Sequence, residues 1–141
     1  MRASSKAIVR VNIDEAWRIL SDHAGMTDWG PGVTAVVTKP GTTEPNGVGA
    51  VRKITAPGPA PAIVEEITAF DAPGRLGYKA LGGVPFADYA GEVTLVATEA
   101  GTLITWTLTA RQRVPFVEQK ALKALSLGLL QAYVRRLKRA A

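Results

Sequence analysis

PNGVGAVRKI, residues 45–54, contains Gly47-Val48-Gly49 followed by the basic pair Arg52-Lys53. It reads either as a phosphate cradle or as a turn into a strand, and the two readings belong to different folds. A dinucleotide loop needs Gly-x-Gly-x-x-Gly between a strand and a helix, so that backbone N–H groups and the helix N-terminus meet the phosphate. Here Arg52 stands where the third glycine would be, and the following residues read as strand. Asn46-Gly47 is a strong turn signal. Gly49 inside the strand predicts a bulge or bend that helps to curl a sheet. The stretch is therefore a turn into a strand.

On either side the pattern agrees. From Val33 to Arg113 apolar residues recur with period two, which predicts strands over about 33–39, 48–56, 62–70, 74–81, 86–98 and 102–113. The separators KPGTTEPNG, PGPAP, DAPG, GGVP and TEAGT are turn-like and short. Parallel crossovers need a dozen or more residues, so neighbours should be antiparallel. Upstream, KAIVRVN (6–12) alternates Ala7, Val9 and Val11 against Lys6, Ile8 and Arg10 as a first strand. Asn12 can cap a helix from about Ile13 to Asp22, with Glu15 as its reciprocal partner. One further helical turn fits AGMTDWGPGV, ended by Gly30-Pro31-Gly32.

Pro115 predicts the start of a long helix running to about Lys138. Its inner face is read as Val117, Ala121, Ala124, Leu125, Gly128, Leu129 and Ala132. A second stripe, Leu127, Leu130, Val134 and Leu137, is read as outer, beside Lys120, Lys123 and Lys138. Gly in a helix interior costs about 1 kcal/mol relative to Ala, so Gly128 suggests close packing or space left for something else.

The 141 residues suit one domain, 1–141, with no repeat, low-complexity tract or linker. The expected class is α+β: a seven-stranded curved antiparallel sheet wrapped on the long C-terminal helix, with one or two short helices after strand 1. Such a sheet has more inner face than one helix fills, which predicts an apolar pocket between them. There is no Cys, so disulfides and thiolate metal sites are excluded. No apolar run approaches the roughly 20 residues of a membrane span, and MRASSKAIVRVN lacks the pattern of a signal peptide. A cytoplasmic location is expected. Of the formal net charge of +5, four positive charges sit at Arg135, Arg136, Lys138 and Arg139. The rest is near neutral, unlike a nucleic-acid binder with charge spread over a face.

The order of elements resembles the START-like superfamily, the helix-grip or SRPBCC fold, and within it the polyketide cyclase/dehydrase-like group. The resemblance covers nearly the whole chain. It is carried by VNIDEAWRILSDHAGMTDWGPGV (11–33), GVGAVRKI (47–54), ITAFDAPGRLGYKA (67–80), DYAGEVTLV (88–96) and GTLITWTLTAR (101–111). It implies a cavity for a small hydrophobic molecule such as a lipid or polyketide. It also implies an Arg52 that faces the cavity. Activity is left open, and no cofactor or metal is implied.

Adjacent strand residues point to opposite faces, so one of Arg52 and Lys53 must point inward. An inward Arg52 needs a partner, and Glu65 or Glu66 on the next strand can supply it; the arginine is then either half of a structural pair or a ligand anchor. The same alternation separates Glu65 from Glu66 and removes a paired-carboxylate glycosidase site. Tyr78, Phe86, Tyr89 and Trp106 are read as core aromatics or as cavity lining, with Leu125, Gly128 and Leu129 opposite them on the helix. His23, the only histidine, is read as a cap or surface residue rather than a general base.

Three functions follow. The first is binding of a small hydrophobic ligand, with a mostly apolar cavity and one anchor. The second is a cyclase or dehydratase, with two or more polar groups such as Arg52, Glu65 and Tyr78 converging on one point. The third is an interaction module of the co-chaperone-activator kind, with a filled cavity. Partner readings for the outer stripe are a transient membrane contact or a homodimer.

Overall fold

The computed structural model describes residues 1–30, 32–114 and 116–140. In chain order the elements are β1 (Arg2–Val9), α1 (Ile13–Ser21), α2 (Met26–Trp29), β2 (Thr34–Lys39), β3 (Val51–Thr55), β4 (Ile63–Asp71), β5 (Arg75–Gly82), β6 (Ala87–Thr98), β7 (Gly101–Arg111) and α3 (Val117–Ala140). The strands form one antiparallel sheet in the order β1-β7-β6-β5-β4-β3-β2. Successive strands from β2 to β7 pair with their chain neighbours, and β1 closes beside the last strand. The expected start of α3 at Pro115, and Pro31 in the turn after α2, lie outside the described residues.

Local chemistry explains the elements. The Asn12 side chain accepts the Glu15 N–H at 2.9 Å and so caps α1. Glu15 does not reach back; its carboxylate holds Arg18 instead. β1 begins earlier than the alternation at 6–12 suggested, because Ala3 and Ser5 continue its buried face. Inward residues of β6 (Tyr89, Gly91, Val93, Leu95) and of β7 (Ile104, Trp106, Leu108, Ala110) are buried, as period two requires. Gly91 faces Tyr78 across β5 and β6, and a Cβ there would strike the Tyr78 ring.

The long helix is where the sequence reading has to be corrected. α3 packs on β1 and β7 through Leu122, Ser126, Leu130, Tyr133 and Leu137, all buried, with Leu125 and Leu129 half-buried. Val117, Ala121, Ala124 and Gly128, expected inside, are exposed; Leu130 and Leu137, expected outside, are sealed. The face was misphased because the true inner stripe contains polar residues with distant partners. Ser126 Oγ lies 2.7 Å from Ser5 Oγ, and the Tyr133 hydroxyl donates to the Ala16 carbonyl at 2.5 Å. Glu118 accepts the Arg113 and Val114 N–H groups at 2.7 and 2.8 Å, which ties the entry of α3 to the end of the sheet. These amides, with the Arg113 guanidinium, lower its carboxyl to about 2. The stripe proposed for a homodimer or membrane contact is thus half inside the core. Gly128 has open space where a side chain would be, so neither close packing nor a cavity explains it.

Two glycines therefore predict opposite outcomes. Gly128→Ala should raise the stability to urea by about 0.5–1 kcal/mol, since a solvent-facing helix position gains propensity at no steric cost. Gly91→Ala should lower it by about 1–3 kcal/mol, because Tyr78 is packed and must move. Equal effects in urea denaturation would contradict this placement.

Candidate functional site

β3 and β4 set Arg52 directly opposite Glu65, and both side chains point inward. Arg52 is 2% exposed and Glu65 5%. Lys53 faces out, as does Glu66, which meets Lys79 at 3.6 Å. Arg52 Nε donates to Glu65 Oε1 at 2.8 Å, and Nη2 lies 2.8 Å from the same oxygen. The guanidinium carbon stands 4.9 Å from the Tyr78 ring centroid, in cation–π range. Of the two residues between which strand alternation left the choice, Arg52 is the inward one, and Glu65 is its acidic partner.

His23 is the unexpected third member. It is neither a cap nor a surface residue: it is 1% exposed. Arg52 Nη1 lies 3.2 Å from His23 Nδ1, and His23 Nε2 lies 2.8 Å from the Asn46 carbonyl oxygen. A guanidinium can only donate, so Nδ1 accepts and Nε2 carries the proton. Asn46 also donates its side-chain amide to the Ser21 carbonyl at 2.9 Å. The turn at 45–49 therefore holds the end of α1 and fixes His23, which is its structural role in place of phosphate binding. Gly49 takes φ +88° just before β3 and donates its N–H to Ile67, so the chain bends there into the strand.

Above this network lies a cavity of about 190 Å³. Arg52, Glu65, Tyr78, Tyr89 and Trp106 line it from the sheet, together with Ile54 and Ile63. Leu125 and Leu129 come from α3, Met26 and Trp29 from α2, Gly30 and Val33 from the turn after it, and Val84 from the β5–β6 loop. The buried members mark its floor. Its half-exposed members, Gly30, Val33, Ile63, Val84, Leu125 and Leu129, mark its mouth. Of the nine residues singled out in the sequence, seven meet here. Phe86 stacks on Tyr89, with centroids 5.9 Å apart, but does not line the space. Gly128 is on the far side of α3. Met26, Trp29, Gly30, Val33, Ile54, Ile63 and Val84 were not singled out, although Met26 and Trp29 sit three apart, a helical spacing that could have flagged them. A larger notch of about 580 Å³ lies between residues 10–13 and the β6–β7 turn, but it is an open surface feature whose Asn12 is already spent as a cap.

The polar groups on the floor largely satisfy one another. Trp106 Nε1 donates to the Tyr78 hydroxyl at 3.1 Å. Burial pushes the Tyr78 phenol up to about 12, and burial likewise raises Tyr89. Both nitrogens of His23 are engaged, so it has no free lone pair with which to act as a base. Trp29 Nε1 is the one sealed side-chain polar atom without a partner among the described residues.

The His23 environment predicts a pH dependence. Burial first, and the Arg52 charge second, lower its pKa from 6.5 to about 4. Between those values the unfolded chain binds a proton that the fold does not, so stability is full above pH 6.5 and falls as the pH drops toward 4. The loss should approach roughly 3 kcal/mol. Urea denaturation of the wild type between pH 6.5 and 4.5 should show this slope, and His23→Gln should flatten it. An unchanged slope in the variant would assign the titration to another group.

Solved structures share this architecture at low sequence identity. A START superfamily protein from Mycobacterium smegmatis superposes with a TM-score of 0.81 at 15% identity, covering 99% of each chain. Protein MLL2253 from Mesorhizobium loti gives 0.78 at 16% identity, covering 100% of this chain and 99% of that one. DynU16, from the dynemicin biosynthetic locus, gives 0.74 at 21% identity, covering 97% of this chain and 47% of its own. No curated protein matches in sequence. The family model described as polyketide cyclase / dehydrase and lipid transport matches residues 1–141. The chain belongs to that polyketide cyclase/dehydrase and lipid transport family, within the START-like fold.

Proposed function

We propose that the protein binds a small hydrophobic molecule, of lipid or polyketide type, in the cavity between the sheet and α3, and that it does so in the cytoplasm. The observation that carries this reading is the cavity itself: an apolar space whose polar floor is largely paired. Ligand sites in general are concave, mostly apolar and furnished with a few placed polar groups. The unfilled space argues against the interaction-module reading, which needs a packed interior.

The alternative, a cyclase or dehydratase acting in the same cavity, draws support from the convergence of Arg52, Glu65 and Tyr78. However, Arg52 is spent on Glu65 and His23, and the Tyr78 hydroxyl accepts from Trp106. Proton shuttling needs a group free to exchange at the reacting atom. Glu65 keeps one oxygen free and the Tyr89 hydroxyl has no hydrogen-bond partner among the described residues, but burial holds that phenol protonated, and a mostly apolar cavity with one such anchor favours binding. No described helix is long and apolar enough to cross a membrane.

The roof offers the test. Leu129 is half-buried and lines the mouth, so Leu129→Trp should fill the cavity without disturbing the sheet. Toluene near saturation should raise the melting temperature of the wild type, because a ligand that binds only the fold stabilises it by mass action. The variant should melt at or above the unliganded wild type and show no further rise. Equal toluene shifts in both proteins would place binding elsewhere and defeat the proposal.

A further inference from the structure

Glu65 has two carboxylate oxygens, and the protein uses one. Oε1 meets both Arg52 Nε and Nη2. Oε2 accepts no hydrogen bond from the described residues, yet it is not sealed like Trp29 Nε1. Glu65 is 95% buried by the complement of its 5% exposure, and it lines the cavity. Its free oxygen therefore opens onto that space. A buried carboxylate oxygen without a donor is costly, and a ligand that supplies one recovers the loss.

Charge narrows the ligand further. Arg52 is positive, Glu65 negative, and His23 neutral in the tautomer its partners impose, so the floor sums to zero. A carboxylate or phosphate ligand would add an uncompensated charge to an apolar enclosure beside Glu65, and an ammonium would do the same with opposite sign. Size narrows it again. A dry cavity of about 150 Å³ holds benzene, and this one is about 190 Å³. One ring with a short substituent fits below the mouth.

Resting on the binding function proposed above, we infer that the cavity selects an uncharged, single-ring-sized molecule carrying a hydroxyl, and that Glu65 Oε2 is the acceptor that anchors it. The anchor is the carboxylate and not the arginine, whose charge is already balanced. A fatty acid anion is excluded as a ligand.

Three probes of similar size test this on the intact protein by calorimetric titration: 4-propylphenol, propylbenzene and 4-propylbenzoate. Water holds the phenol more strongly than the hydrocarbon, so without an anchor propylbenzene binds tighter. With the anchor, 4-propylphenol should bind roughly tenfold tighter than propylbenzene, and 4-propylbenzoate should not bind. Replacing the whole pair, Arg52→Leu with Glu65→Leu, avoids leaving a lone buried charge. It should reverse the order of the first two probes. If that variant fails to fold, the wild-type ranking decides alone. Propylbenzene equal to or tighter than propylphenol in the wild type would overturn the Glu65 anchor and leave the binding function standing. Tightest binding of propylbenzoate, or a phenol preference that survives in the double variant, would also overturn it. Binding of none of the three, with no toluene response, would overturn the binding function itself.

Discussion

A guanidinium keeps its charge at any pH a folded protein meets, so burying one obliges the surroundings to organise around it. Arg52 is that group. Its charge is met by Glu65 on the neighbouring strand, its face by Tyr78 on the next strand but one, and its far nitrogen by His23 at the end of α1. Each of these groups is held by another part of the chain. The turn at Asn46 fixes His23, and Gly91 makes room for Tyr78. Breaking such a pair by removing one partner costs about 3–5 kcal/mol, although replacing both is often neutral. The network is thus better understood as a constraint on geometry than as a source of stability. It sets the register of β3 on β4 and the position of the first helix together.

The same constraint shapes the cavity. Charged groups pinned to the floor cannot rise to fill the space above them, and α3 does not reach down to it. The helix is drawn instead toward β1, where the Ser5–Ser126 contact holds it, and toward α1, whose Ala16 carbonyl accepts the Tyr133 hydroxyl. Tyr133 also packs on Trp29 and Trp106, with centroids 5.6 and 6.2 Å apart, so the aromatic cluster closes one end of the wrap. What remains open is the other end, under Leu125 and Leu129. The pocket is the residue of two separate satisfactions, one polar and one aromatic, that leave no side chain between them.

This arrangement also explains why the floor is chemically quiet while still selective. Three ionisable or polar groups meet at one place, which from a residue roster alone resembles a catalytic centre. Their hydrogen bonds run to each other. His23, engaged at both nitrogens, and Arg52, balanced by Glu65, orient their neighbours but do not exchange with a substrate. Selectivity then falls to the unspent Glu65 oxygen and the Tyr89 hydroxyl, and to the volume above them.

The sequence was most informative where the deciding physics is local. Strand alternation located all seven strands to within a few residues, required one of Arg52 and Lys53 to point inward, and put Glu65 and Glu66 on opposite faces; which member of each pair faced in came from the structure. Turn chemistry at Asn46-Gly47 ruled out the phosphate loop. Family resemblance and element order agreed on the sheet and its long helix. The failures share one cause. His23 is buried because Arg52, 29 residues away, needs an acceptor, and α3 turns its Ser126 and Tyr133 inward because partners 121 and 117 residues away receive them. A periodicity counts apolar neighbours along the chain and cannot see a polar residue whose partner lies elsewhere. The sequence by itself determined the strands, the helices and which strand residues shared a face. Only the tertiary structure decided which polar groups were spent and which face of α3 met the sheet, because a hydrogen bond between distant residues exists only once the chain has closed.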